Sequence, residues 1–350
     1  MLDIPIKWIY IVMVLFGSLL FCFFIYLLIR KAWMNNFQKQ VRLEKEKMKE
    51  EFFAYFFGQL EELSNHSQNK VQRMAQEELL LNLTSIVDDE GISHNIQGFA
   101  EENWMNKYRK DLKHSRWSVR MNALYAIENF KMRNLADTLI DMYENRKLTL
   151  AEESQILKIL VQLAHPQFVH YMTQPIHPIS EFMYRSLLGY MTEEQFQSFI
   201  DKFQELPEIV QLALIDIIGI KSKVSCVPFL KQHLQDDSTE IRIRVLKALV
   251  ELSYPISIEE LTAHIQSAMW QERMMAAKLL GKSKKKESLS YLEQLMHDSQ
   301  FLVRSNAAQS MLMIDGGRDF LKTVLDSTTD RYVKDMANDW LERGGITVVE

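Results

Sequence analysis

Two-residue steps recur along this chain at a nearly fixed interval. Ile209-Val210, Ile241-Arg242, Glu272-Arg273, Val303-Arg304 and Val333-Lys334 start 32, 31, 31 and 30 residues apart. Val119-Arg120 is an earlier copy, and weaker ones fall near residues 152 and 182. Small or apolar residues follow each step at helical spacing: Ala123 and Ala126, Ala213, Val245 and Ala248, Ala276 and Leu279, Ala307 and Ser310, Ala337 and Trp340. Shorter amphipathic stretches lie between, such as 227–237, 289–299 and 318–327. Each unit therefore reads as helix, turn, helix in about thirty residues. One such pair cannot bury its apolar face alone, whereas stacked pairs can. Only 11 glycines and 7 prolines punctuate 350 residues, which also favours helices.

The arginine in the step needs a reason, because it stands at the start of an otherwise apolar helix. Asp236 precedes Arg242 by six residues, and Asp298 precedes Arg304 by six. That interval carries the chain from the end of one helix, around a turn, into the next. The 31-residue period, this aspartate and the Val-Arg-x-x-Ala step resemble HEAT repeats, closest to the short bacterial kind of the phycobilisome lyases. The resemblance covers residues 100–342. It is fullest over 225–342, partial over 105–145, and lacks most motif residues over 146–206. It implies an all-α solenoid in which aspartate–arginine pairs form a ladder between repeats. Asp236, Arg242, Asp298 and Arg304 would belong to it, with Arg120 and Arg273 in equivalent places. His114 and Ser267 stand where aspartate is expected, so those junctions should be looser. The guanidinium fork suits such a role, since it can satisfy carbonyls and carboxylates together.

The N-terminus is a different kind of segment. Residues 8–29 carry no charge. At ~1.5 Å per residue they would span about 33 Å, enough for a bilayer core. Trp8 and Tyr10 at one end, and Tyr26 and Trp33 at the other, suit the two interfaces. The stretch is too long for a signal peptide and lacks a small-x-small cleavage site. Lys7 alone precedes it, opposed by Asp3, whereas Arg30, Lys31, Lys39, Arg42, Lys45, Lys47 and Lys49 follow. The positive-inside rule then places residues 1–7 outside and the bulk of the chain in the cytosol. Two cysteines, Cys22 and Cys226, fit a reducing compartment.

Residues 30–64 read as a basic amphipathic stalk. Phe37, Val41, Met48, Phe52, Tyr55 and Leu63 fall near one stripe. The stripe spans too few heptads to settle its partner. We expect it to pack on its own domain, with dimerisation through a coiled coil as the alternative. Residues 65–99 should form a helical cap and a loop, the loop being the acidic stretch 88–95. The repeats then run over 100–343, followed by a tail at 344–350.

Reactive constellations are missing from the sequence. There is no glycine-rich phosphate loop, paired-cysteine site, HExxH or nucleophile elbow. His165, His170 and His177 are separated by prolines and poorly spaced for one metal, so no metal or cofactor is expected. Asp88, Asp89 and Glu90 have no base or nucleophile motif beside them. The basic run 282–286 reads as a solvated turn. Beyond residue 50, acidic residues exceed basic ones by nine, which disfavours nucleic acid as a partner.

What remains is a surface. Positions two, three and six after each step should point away from the repeat core, toward the side along which solenoids bind partners. They include Met121, Tyr125, Lys158, Arg244, Lys247, Met275, Lys278, Asn306 and Gln309. Arg244, Lys247 and Lys278 should form an exposed basic strip for an acidic protein segment. The expected function is a membrane-anchored scaffold or adaptor with no reaction of its own. A lyase-type enzyme or enzyme subunit is the alternative that the resemblance implies.

Overall fold

The computed structural model describes residues 6–63, 69–87 and 89–343. The tail at 344–350, most of the short segment at 1–7 and Asp88 lie outside the described residues. Every regular element among the described residues is a helix, and the α-helices number 18. The chain divides after Leu148 into two compact units.

The first unit contains α1 (Ile6–Phe56), α2 (Lys70–Ile86), α3 (Glu90–Leu112), α4 (Trp117–Asn129) and α5 (Ala136–Asn145). α1 is one unbroken helix of 51 residues, and it has two halves of different character. Residues 10–30 are exposed throughout. Val41, Met48, Phe52 and Phe56 are buried, where α1 packs on α2 and α3. Lys45 pairs with Glu78 of α2 at 3.2 Å. The stalk stripe thus packs on its own unit, and the helix ends at Phe56, short of residue 64.

Where a loop is expected over 88–95, residues 90–95 are helical. α3 begins at Glu90, because the Asp89 side chain accepts from the Ile92 backbone N–H at 2.9 Å and caps the helix. The reading as an acidic loop overlooked that capping role.

The second unit is a stack of helical hairpins. One row consists of α6 (Leu150–Gln162), α8 (Glu181–Leu188), α10 (Glu208–Ile220), α12 (Thr239–Glu251), α14 (Trp270–Ser283), α16 (Phe301–Met311) and α18 (Arg331–Arg343). Each packs on the next. The shorter α7 (Phe168–Thr173), α9 (Glu193–Asp201), α11 (Val227–Gln232), α13 (Ile258–Ile265), α15 (Ser288–Met296) and α17 (Gly317–Ser327) alternate with them. Helical pairing thus continues through 150–206, where the motif residues are absent.

The small residues explain the close row. Ala213, Ala276, Ala307 and Ala337 are fully buried between neighbouring helices. Gly219 of α10 faces the Ala248 Cα of α12 so closely that a Cβ there would stand 3.1 Å from it. Side chains larger than these would force the helices apart.

Several helices, α4 and four of the row, also share a way of stopping. Lys131, Ala164, Ser222, Ser253 and Lys284, each just past a helix end, adopt φ between 49° and 53°. The residue after four of them closes a bond back across the end: Met132 N–H to Ile127 O, His165 to Leu160, Lys223 to Ile218 and Tyr254 to Leu249, at 2.9–3.1 Å. These are Schellman-type ends, which glycine would ordinarily supply. None of the five positions is glycine, so the sequence hides them.

Candidate interaction surfaces

The turns between paired helices carry the ladder, and its arrangement differs from the expected one. Each arginine first secures the turn that precedes it. Arg242 Nη1 donates to the carbonyls of Asp236 and Asp237 at 2.7 and 3.1 Å. Arg273 does the same to Ser267 and Ala268, and Arg304 to Asp298 and Ser299. Arg120, which is buried, donates to His114 and Ser115. The six-residue interval therefore serves a backbone carbonyl, so a serine or histidine there does no harm. Asp236 turns its side chain elsewhere, to the Ser238 N–H and the His233 ring.

The other edge of the guanidinium joins the next repeat. Arg273 forks onto the Asp298 carboxylate, with Nη2 to Oδ1 at 2.9 Å. Arg242 places Nε and Nη2 on Glu272 Oε1 at 3.1 and 2.9 Å, while His264 Nδ1 meets Oε2 at 2.9 Å. Glu272 occupies the buried step position that Val303 and Ile241 fill in other repeats. It restores the carboxylate that Ser267 lacks, so the junction expected to be looser has its arginine–carboxylate pair. The His114 junction is likewise held by a second arginine, Arg146, whose Nη1 donates to Leu112 O at 2.7 Å. Burial alone would raise the carboxyls of Glu272 and Asp298. The hydrogen bonds from Arg242 and His264, and from Arg273 and the Gln300 N–H, prevail and hold both below the ordinary carboxylate range.

The proposed open strip is only partly open. Met121 is buried, because its helix turns that position into the core of the first unit. Arg244 and Lys247 are not exposed cations. Both reach Asp216, a carboxylate only 2% exposed at the centre of α10. Arg185 of α8 donates to the same carboxylate at 2.8 Å. Arg244 also crosses to Glu181 of α8, with Nη1 to Oε1 at 2.9 Å. Three successive row helices are thereby clasped on one face. The sequence signal for this site is Asp216 itself, the one charge inside "LALIDIIGI" (212–220). Burial disfavours the Arg244 charge, but Asp216 and Glu181 outweigh it and raise its affinity for the proton.

Lys278, Met275, Asn306 and Gln309 are half-buried on the row, and Tyr125 is exposed. Lys158 lies over the Tyr190 ring, 4.9 Å from its centroid. A second feature escaped the sequence reading. Leu150, Phe182, Ile209, Phe301, Leu302 and Tyr332 are exposed in the first turns of row helices, forming an apolar edge.

The remaining candidates have local roles. His177 Nδ1 bonds Glu153, which also accepts the Ile176 and His177 backbone N–H groups. His165 caps the Gln167 N–H, and the His170 ring lies 5.4 Å from that of Tyr171. In the basic run, Lys282 donates to the Ser253 hydroxyl across neighbouring repeats. Cys226 is buried, which pushes its thiol up and disfavours a reactive thiolate. Trp8, Tyr10, Tyr26, Arg30, Lys31 and Trp33 all lie exposed on α1.

Residues 258–342 match the family of HEAT repeats. The protein carries HEAT repeats. The matched HEAT segment runs from α13 to α18 and contains the ladder from Arg273 onward. Among solved structures, the chain is similar to Escherichia coli YibA at 14% identity and a TM-score of 0.40, covering 80% of this chain and 99% of that one. It is similar to human deoxyhypusine hydroxylase at 15% identity and a TM-score of 0.28, covering 60% and 96%. No curated protein matches the sequence.

Proposed function

We propose that this HEAT-repeat protein is a single-pass membrane protein whose repeats face the cytosol and hold another protein at the membrane, without a reaction of their own. The observation that carries the reading is the asymmetry of α1. Its apolar half is entirely exposed, with mean hydropathy 2.8 over the most apolar window, while the same helix is built into the first unit from Val41 onward. An exposed apolar rod of this length is costly in water and at rest in a bilayer. Continuity into a packed core supports retention over cleavage. Arg30, Lys31, Lys39 and Arg42 at the junction support a cytosolic domain.

The partner reading rests on the row of second helices. Met275, Lys278, Asn306 and Gln309 lie there in two successive repeats, and methionine adapts readily to a protein surface. Arg244 and Lys247 belong to the Asp216 clasp and are left out of this face.

Two measurements test the proposal on the full chain. A cytosol-dependent reporter fused after Glu350 should be active, and the protein should stay in membranes through alkaline carbonate. Release by carbonate, or activity of an exterior-dependent reporter, would overturn the membrane reading. Crosslinked capture from solubilised membranes should weaken when Lys278, Asn306 and Gln309 are replaced by glutamate. Unchanged capture by that variant, folded and in the membrane, would remove this face from the proposal.

A further inference from the structure

The ladder has an open rung at its C-terminal end. Arg242 and Arg273 each hold a turn with Nη1 and grip a carboxylate with Nε and Nη2. Arg304 holds its turn in the same way. Its Nε, however, is buried and has no hydrogen-bond partner among the described residues. A buried N–H of a charged group left unpaired is costly, and such groups are rare in folded proteins.

Repeat spacing shows what is missing. The steps at Val303 and Val333 stand 30 residues apart, so Thr328 takes the place of Asp298, its hydroxyl accepting the Asp330 N–H at 3.2 Å as Asp298 accepts that of Gln300 at 2.8 Å. Asp298 takes the preceding arginine, whereas Thr328 has no carboxylate to offer Arg304, and the nearby Asp330 turns to His297, 3.5 Å away. Over Arg304 lies the ring of Tyr332, its centroid 5.2 Å from the guanidinium carbon. Tyr332 is 66% exposed, so it can swing aside without disturbing the core. Phe301 and Leu302, at 58% and 47% exposed, lie in the first turn of the same helix.

We propose that the Arg304 fork is a receptor for an aspartate or glutamate side chain of a partner protein, presented next to an apolar residue that covers Phe301 and Leu302. The carboxylate would take the place that Glu272 and Asp298 hold in the two preceding rungs. Charge complementarity fixes the acid, because the fork is a cation with two donors aligned for a carboxylate. The exposed apolar rim fixes its neighbour. This edge is separate from the row face of the preceding section, and its test does not depend on the membrane.

The probes are two tripeptides, acetyl-Leu-Glu-Phe-amide and its glutamine analogue, titrated into the full-length protein in detergent micelles. The Arg304 Nε–H resonance is followed by NMR, and affinity by calorimetry. The glutamate peptide should move that resonance saturably and bind at least about tenfold tighter than the glutamine peptide, about 1.4 kcal/mol. Arg304→Gln should abolish the preference, and it should fold, because Gln211, the fourth residue of α10 as Arg304 is of α16, donates to Phe203 O at 2.8 Å. Arg304→Lys, which keeps the charge without the fork, should lose most of the preference. Tyr332→Ala should keep it. Equal affinity for the two peptides, no saturable binding of the glutamate peptide, or a preference that survives Arg304→Gln would each overturn the proposal.

Discussion

Gly281 of α14 lies so close to Ser310 of α16 that a β-carbon at residue 281 would stand 2.6 Å from the serine Cβ and 2.9 Å from its Cα. The obstacle is backbone and a Cβ, neither of which can turn away. Gly281→Ala should therefore separate two row helices and cost roughly 1–3 kcal/mol. Thermal unfolding of the purified protein should show a clear drop in midpoint. An unchanged midpoint would mean the helices approach less closely than described. Gln309→Leu, half-buried on the row, should shift it much less.

The second expectation concerns the relocated rung. Glu272→Val supplies the usual apolar residue but strips Arg242 and His264 of their carboxylate. Removing one partner of a buried pair costs roughly 3–5 kcal/mol. Adding Ser267→Asp returns a carboxylate to the position the other repeats use. The double variant should recover a large part of the loss. If the two changes simply add in denaturant unfolding, the compensation argued for this junction is wrong.

Acid should weaken the same rungs. Glu272 and Asp298 both have folded-state carboxyls below their ordinary values. A group depressed on folding contributes stability that is present above its unfolded value and fades as pH falls through the folded one. The contribution should thus be intact at neutral pH and decline below about pH 4. Asp298→Asn should flatten this part of the pH–stability curve. A slope identical to the parent's would show that the Arg273 pair contributes nothing there.

Helix ends offer a stabilising test. Ala164 and Ser253 sit at φ 53° and 50°, a left-handed conformation that strains any residue with a Cβ. Ala164→Gly and Ser253→Gly should each raise stability by about 0.5–1 kcal/mol, the strain relieved less the added freedom of the unfolded chain. Lower midpoints for both would rule out the left-handed ends.

The repeat architecture was legible because arginine and alanine recur at one interval, and because the intervening stretches are short and amphipathic. The junction chemistry was less so. A carboxylate moved from residue 267 to 272 breaks the local pattern while preserving the contact, and only three dimensions reveal that Glu272 points back to Arg242. Asp216 was hidden by its apolar neighbours, since burial among them suggested a purely hydrophobic helix. Arg244 and Lys247 looked exposed because helical phase alone does not report a partner on the adjacent helix. Phe301, Leu302 and Tyr332 escaped because they precede the step by one or two residues, outside the recurring spacing.

The unbroken course of α1 has a mechanical meaning. From residue 29 to Phe56 the helix extends about 40 Å at 1.5 Å per residue, with no hinge among the described residues. It is a lever arm fixed at its far end in the first unit. A tilt of ~10° at the apolar half would carry that end sideways by about 7 Å, and rotation about the axis would turn the unit by the same angle. With the apolar half in a bilayer as proposed, mismatch with bilayer thickness, which a spanning helix accommodates partly by tilting, would thus become a coordinate of where this domain stands and which way it faces.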